Sequence, residues 1–253
     1  MKNLARCLTA ALLCATALAA QAEDIRVLTA GAFKPVLVAL QPAFEARTGH
    51  RLRIDNDTAG GIARRVAVGE AFDVVVSSPA SLKDLQAAHL SRALAPQPVA
   101  RVAIGVAVRA GDPQPDISSV SAFRAMLMAS RRVALIDPAS GGSSGIYLAR
   151  LFTQWGMADA MRERSVPVMG GLVAAKVADG TADVALHQIS EILAVPGVVL
   201  VGPLPAEIQN YTHYAAAASA ASEGRQAVRE LLAALQSPDL RRILRDKGME
   251  AAQ

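Results

Sequence analysis

Val133-Ala134-Leu135-Ile136-Asp137-Pro138-Ala139-Ser140-Gly141-Gly142-Ser143-Ser144-Gly145-Ile146 is the stretch on which the fold turns. Val133 to Ile136 reads as a strand, the Gly/Ser segment after it as a loop, and residues 146–155 as a helix with Ile146, Ala149, Leu151 and Phe152 on its inner side. Working outward, the alternation recurs. Residues 25–28 read as a strand. Val36, Leu40 and Phe44 recur at helical spacing up to a stop at Gly49, and Pro42 predicts a kink or break. Residues 51–54 form a second strand, Ile62 and Val66 mark a short helix ended near Gly69, and residues 72–76 form an apolar strand buried on both faces. Pro79 opens a helix to about Leu90. Further on come a long apolar strand over 99–108 and a helix capped by Ser119 through Ala129. Strands over 166–169, 184–186 and 198–201 follow, with a helix over 172–177 ended at Gly180. Tyr211–Ala218 is extended, and residues 225–247 carry two amphipathic helices on either side of Pro238. Alternating strands and helices imply parallel sheets covered on both faces. The two long extended runs suggest two α/β lobes joined by two crossing hinge strands. The expected division is 1–22 as leader, 23–101 with 213–253 as lobe 1, and 102–212 as lobe 2.

The leader reading rests on order. Lys2 and Arg6 are followed by an uncharged apolar run over 8–20 and by Ala20-Gln21-Ala22, which together resemble a cleaved secretory signal and imply a periplasmic product. Cys7 and Cys14 both lie in this segment, and Leu13 stands where a lipoprotein signal wants a small residue. The chain after residue 22 therefore has no disulfide and no thiolate site. The formal charge is +4, of which Lys2 and Arg6 supply +2, so +2 remains for 23–253. That is no nucleic-acid footprint, and no later apolar run approaches a membrane span. With only 4% aromatic residues, an aromatic sugar platform is disfavoured.

Three strand-to-helix junctions carry the chemistry: residues 29–34 (Thr-Ala-Gly-Ala-Phe-Lys), 57–61 (Asp-Thr-Ala-Gly-Gly) and 137–145. Each is small and glycine-bearing and precedes a helix, so backbone N–H groups lie open at the positive end of a dipole, as an anion site requires. Taken singly, each loop reads sooner as a plain turn with Thr58 or Ser144 as cap; three of one kind at equivalent places shift the balance towards a site. The candidate ligand-binding residues are Gly31, Ala32, Lys34, Thr58, Ala59, Gly60, Arg65, Ser143, Ser144, Gly171 and His187. Arg64 and Arg65 follow the second junction, and one of them could reach an anion. Gly170-Gly171 offers a further nest of N–H groups. His187 closes a strand, before Gln188 and Ser190. No nucleotide fingerprint, nucleophile elbow, paired-His motif or carboxylate cluster is present, so no cofactor and no metal are expected.

The chain resembles the periplasmic molybdate-binding protein family, a branch of the type II solute-binding proteins of ABC transporters. The likeness runs through Ala30-Gly31-Ala32, Ala63-Arg64, Ala71-Phe72-Asp73-Val74, Asp137-Pro138 with Gly145-Ile146-Tyr147, Asp183-Val184-Ala185 and Lys247-Gly248-Met249. It implies a type II periplasmic binding fold that closes on an oxyanion, with an ABC permease as partner, and a monomer is expected. Ala32 stands where these proteins offer a serine, Thr58-Ala59-Gly60 where they are serine-rich, and His187 where they have a tyrosine. These departures suit a carboxylate or tricarboxylate better than molybdate, with Arg65, Lys34 or His187 as charge-assisted donors. A narrower resemblance lies in residues 141–147, 187–191 and 203–209, which are similar to a subgroup akin to the periplasmic aconitate isomerases. It implies allylic proton transfer, with His187, Glu191 or Asp57 as base. Three readings thus stand at this point: a carrier of a small carboxylate, an isomerase with His187 catalytic, and a molybdate binder.

Overall fold

The computed structural model describes residues 22–86 and 89–252. The expected leader, apart from Ala22, lies outside the described residues. β1 (Asp24–Ala30) passes through one 3₁₀ turn into α1 (Lys34–Thr48), and β2 (Arg51–Asp57) pairs parallel with β1 along its length. Gly49, with φ 75°, ends α1 in the left-handed region that glycine adopts without cost. Pro42 does not break α1. The carbonyl it leaves without a donor is that of Val38, which lies on the exposed side where water can serve it. α2 (Ala59–Ala67), β3 (Val74–Ser77) and α3 (Pro79–Leu85) complete the first run, α3 stopping short of the expected Leu90.

β4 (Gln97–Arg109) then crosses into a second sheet. There follow α4 (Val120–Ala129), capped by Ser119 as expected, β5 (Val133–Ile136), α5 (Ser143–Gln154), α6 (Ala158–Arg164) and β6 (Ser165–Val168). α7 (Ala175–Ala178), β7 (Val184–Gln188), α8 (Ile189–Ile192) and β8 (Val198–Pro203) fill out this half. β9 (Tyr211–Ala218) returns the chain, and α9 (Gln226–Ala234), α10 (Pro238–Asp246) and β10 (Glu250–Ala251) close it.

One sheet has the order β2-β1-β3-β9-β4, and the other continues from the same strand as β4-β7-β5-β6, with β8 and β10 also on β4. The sheets are mixed rather than parallel throughout: β9 runs antiparallel to β3 and β4, and β4 antiparallel to β7. β4 serves both halves: Gln97 to Ala103 pair with β9 in the first sheet, and Ile104 to Arg109 pair with β7 and β8 in the second, antiparallel throughout.

The cores follow the strands' period of two. Along β4, Ile104, Val106 and Val108 face one cluster with Phe123, Leu127, Leu148 and Phe152, while Ala107 faces another with Val173, Val177 and Ile192. β5 divides likewise, Val133 and Leu135 against Ala134 and Ile136. A third cluster gathers Ile25, Phe33, Leu37, Phe44, Val74 to Val76, Ala215 to Ala218, Val228, Leu231 and Leu244. Its buried members come from both ends of the described chain and none lies between Val102 and Tyr214, although half-buried Ile189 of α8 packs against it from the other half. This is the two-lobed type II binding-protein architecture, with the strands' carboxyl ends turned to the space between the halves. Among the described residues no helix is long and apolar enough to cross a membrane.

Candidate functional site

The junctions β1–α1, β2–α2 and β5–α5 converge on one cavity, joined by Gly171, the end of β7 and the start of β9. The space between them, its mouth included, is about 470 Å³. Of the expected residues, Gly31, Ala32, Thr58, Ala59, Ser143, Ser144, Gly171 and His187 line it. Each junction contributes because its strand ends where its helix begins, leaving the first N–H groups of the helix without internal partners.

Three expected residues stand elsewhere. Gly60 packs its Cα on Gly141 at the rim: a Cβ at Gly60 would come within 2.8 Å of Gly141 Cα. Arg65, expected to meet a carboxylate, turns outward to Asp55 and to Glu70, whose Oε2 accepts from Nε at 2.6 Å. Acidic residues from β2 and from the segment after α2 claim the guanidinium before any ligand can. Lys34 donates to Asn56 Oδ1 at 2.7 Å, and it is Asn56, not Lys34, that lines the cavity. No Lys or Arg is among the lining residues.

Thr58 is both cap and bridge. Its Oγ1 accepts from Gly61 N at 3.0 Å, closing the first turn of α2, and donates to Ser140 O across the cleft at 2.6 Å. Arg64 Nη2 reaches the same carbonyl at 3.1 Å, and Gly60 N donates to Gly141 O at 3.2 Å. Ser190 Oγ donates to Ala32 O at 2.8 Å. Four bonds thus join residues preceding β4 to residues following it, and the cleft is shut.

At the floor, His187 Nε2 lies 3.3 Å from Glu191 Oε2, with the side chains 3% and 8% exposed. Burial disfavours charge on both. It pushes the Glu191 carboxyl up to about 8 and the His187 imidazole down to about 3. Both are therefore uncharged at neutral pH, and the contact carries one hydrogen between Nε2 and Oε2. His187 Nδ1 is buried without a hydrogen-bond partner. Glu191 Oε1 lies close over residue 31: a Cβ there would sit 2.6 Å from it, so a side chain at the first junction would push the carboxyl aside.

Gln188 Nε2 donates to Thr212 Oγ1 at 2.8 Å and to Ser143 Oγ at 3.1 Å, and Thr212 Oγ1 donates to Ser143 Oγ at 3.1 Å. Tyr214 completes this wall. Burial raises its phenol far above the ordinary range, the neighbouring Glu191 adding to the effect and the Ser143 hydroxyl opposing it. The strand reading of Tyr211–Ala218 held the signal for Thr212 and Tyr214: they are the two polar residues on one face at period two.

A chain from Pseudomonas sp, named aconitate isomerase, is 34% identical over 240 residues, covering 92% of this chain and 90% of that one. Among solved structures, the periplasmic molybdate-binding protein of Azotobacter vinelandii superposes with a TM-score of 0.74 at 20% identity, over 90% of this chain and all of that one. The sulfate-binding protein of Mycobacterium tuberculosis gives 0.72 at 18% identity, over 91% of this chain and 88% of its own. These two share the fold. The family model described as bacterial extracellular solute-binding protein matches residues 25–250. From the first strand to the last, then, the chain belongs to the bacterial extracellular solute-binding proteins.

Proposed function

We propose that this protein works in the periplasm as an isomerase, closing its lobes on an unsaturated tricarboxylate such as aconitate and moving a proton along the allylic system. The observation that carries the reading is the buried His187–Glu191 pair on the cavity floor. In the tautomer that gives Nε2–H to Glu191 Oε2, the partnerless Nδ1 is left as the lone pair of a neutral imidazole. Such a base can take a proton from the methylene carbon beside a carboxylate. The electron pair left behind shifts through the adjacent double bond, and the proton returns at the far end. No electron is gained or lost, and no cofactor is required. Glu191 Oε2, accepting from Nε2–H, steadies the imidazolium as it forms, and N–H groups at the three junctions meet the enolate-like charge on the substrate. The 34% identity to a protein named aconitate isomerase supports the same chemistry.

Lobe borders at 23–101 with 213–253, and at 102–212, belong to this reading, because the apolar clusters change hands between Val102 and Ile104. Incubation with cis-aconitate, followed by proton NMR, tests it. Trans-aconitate is expected to accumulate, and His187→Ala to slow the conversion by about 10²–10⁴, the scale of a general base. Conversion at an undiminished rate in that variant would overturn the assignment.

A second reading keeps the ancestral role: a binding protein that hands a small carboxylate to an ABC permease. The bonds across the rim favour it, since a cleft shut by Thr58, Gly60 and Arg64 on Ser140 and Gly141 suits capture as well as catalysis. Tight binding of cis-aconitate without conversion would select it.

A further inference from the structure

The cavity contains an acceptor that an anion cannot satisfy. Gln188 is buried, and its Nε2 already serves Ser143 and Thr212, which leaves Oε1 with no hydrogen-bond partner. The neighbouring carboxyls do not add to it: Glu191 keeps its own proton, and Asp57 is already served, its Oδ1 accepting from Thr58 N at 2.7 Å and its Oδ2 lying 4.0 Å from Arg65 Nη1. His187 and Tyr214 are the other titratable groups on the walls. The nearby cations are all engaged by the protein itself: Lys34 by Asn56, Arg65 by Asp55, Glu70 and Asp57, Arg64 by the Ser140 carbonyl. A site built for a fully ionised oxyanion needs donors only. Each buried lone pair that meets another lone pair leaves two groups unpaired and sets like partial charges together.

We propose that the protein takes its anion in a form that keeps a hydrogen-bond donor, a carboxylic acid or hydroxyl group beside its carboxylates, and that the buried Gln188 Oε1 reads that donor. The inference rests on the polycarboxylate reading above and names the protonation state that reading left open. Helix-terminal N–H groups and the Ser143 and Ser144 hydroxyls meet the ionised part of the ligand; Gln188 Oε1 meets the protonated part. Fully deprotonated oxyanions are excluded by the absence of a donor rather than by size.

Calorimetry on residues 23–253 with phosphate and sulfate at pH 7 tests this directly. The two are tetrahedral and near-equal in size, and only phosphate retains a proton. Phosphate is expected to bind at least about tenfold more tightly than sulfate or molybdate, as a site that reads a hydrogen rejects the analogue lacking it. Gln188→Met, which keeps the side chain's length and removes the unpartnered acceptor, is expected to narrow that ratio to within roughly threefold. The wild-type ratio decides the matter should that variant not fold. Cis-aconitate is expected to bind with uptake of about one proton, read from heats in buffers of different ionisation enthalpy, and more weakly as pH rises from about 6 to 8. Sulfate or molybdate binding as tightly as phosphate would overturn the proposal, as would aconitate binding that is indifferent to pH. A preference for phosphate with aconitate neither bound nor converted would uphold donor recognition and sink the aconitate reading. Conversion of aconitate with sulfate bound as well as phosphate would do the reverse. Binding of none of the probes would sink both.

Discussion

Glu191 and His187 make opposite demands on pH, and their signs can be worked out. The folded Glu191 holds its proton up to about 8, whereas the unfolded side chain releases it near 4.5, so its contribution to stability is full below pH 4.5 and is lost as pH rises through 8. The folded His187 refuses a proton down to about 3, whereas the unfolded imidazole accepts one near 6.5, so stability falls as pH drops below 6.5. Between 4.5 and 6.5 the two slopes nearly cancel; above 6.5 only the Glu191 slope remains. The ligand-free protein is therefore expected to lose roughly 1–2 kcal/mol between pH 6.5 and 8, because one proton bound only in the folded chain costs about 1.4 kcal/mol for every pH unit crossed. Glu191→Gln, which has no proton to lose, should flatten that slope in urea titrations at the two pH values. A slope unchanged by the substitution would place the titrating group elsewhere. His187 was legible in the sequence because it ends an apolar strand. Its pairing with Glu191 was not, because four residues of chain turn through α8, a helix too short to show a period.

The contact of α2 with the loop before α5 sets the closed cleft. Gly60 has room for a side chain only when the lobes are apart, since its Cβ would meet Gly141 Cα at 2.8 Å and Ser140 O at 3.2 Å in the closed form. Gly60→Ala should leave the open form as stable as before or better, alanine being favoured over glycine in a helix by about 0.5–1 kcal/mol. It should penalise the closed form by about 1–3 kcal/mol, the range for an overpacked contact, and so weaken ligand binding about 5- to 150-fold. Small-angle scattering with saturating ligand should report a radius of gyration larger than that of the wild type. Equal affinity and equal radius would show that the rim does not govern closure. At this scale the sequence was informative where chemistry is local: Val133–Ile136 and Tyr211–Ala218 are strands as read, and Ser119 caps α4. It was silent where side-chain direction decides. Glu70 and Asp55 lie only five and ten residues from Arg65, but the sequence does not say that the guanidinium turns to them and away from the loop, so a cation beside a candidate loop read as a ligand group when its carboxylate was already supplied close by.

Across the whole molecule, the beginning and the end of the described chain are stitched at Asp73. Its Oδ2 accepts from Arg26 N at 2.7 Å, and its Oδ1 accepts from Ser222 Oγ at 2.6 Å and meets Arg225 Nη1 at 2.7 Å. Arg225 also holds Glu23 at 2.8 Å. Burial alone would raise the Asp73 carboxyl, but hydrogen bonds from Ser222, the Arg26 N–H and Arg225 outweigh it and hold it below the usual range. Removal of this carboxylate strands several donors in a buried place, so Asp73→Ala should cost about 2–4 kcal/mol of stability, somewhat less than a fully buried pair because Arg225 keeps some water. Chemical denaturation should show that loss, and thermal unfolding with saturating ligand should recover part of it by mass action, about 2.7 kcal/mol at a hundred times the dissociation constant. A variant as stable as the wild type would reduce Asp73 to a surface ornament. The two-lobed plan was readable because hydrophobic period and strand–helix alternation are averages over many residues. The register that brings Asp73 to Arg225 depends on β3 and β9 lying side by side, a pairing between segments far apart in the chain.

The bond from Gly60 N to Gly141 O has a consequence for what the cleft can tolerate. It joins main chain to main chain, at two positions whose side chains are a single hydrogen. A group that faces the ligand, such as Ala32 or His187, can be exchanged without touching that bond. The vocabulary of recognition is written in side chains, and the grammar of closing in the backbone.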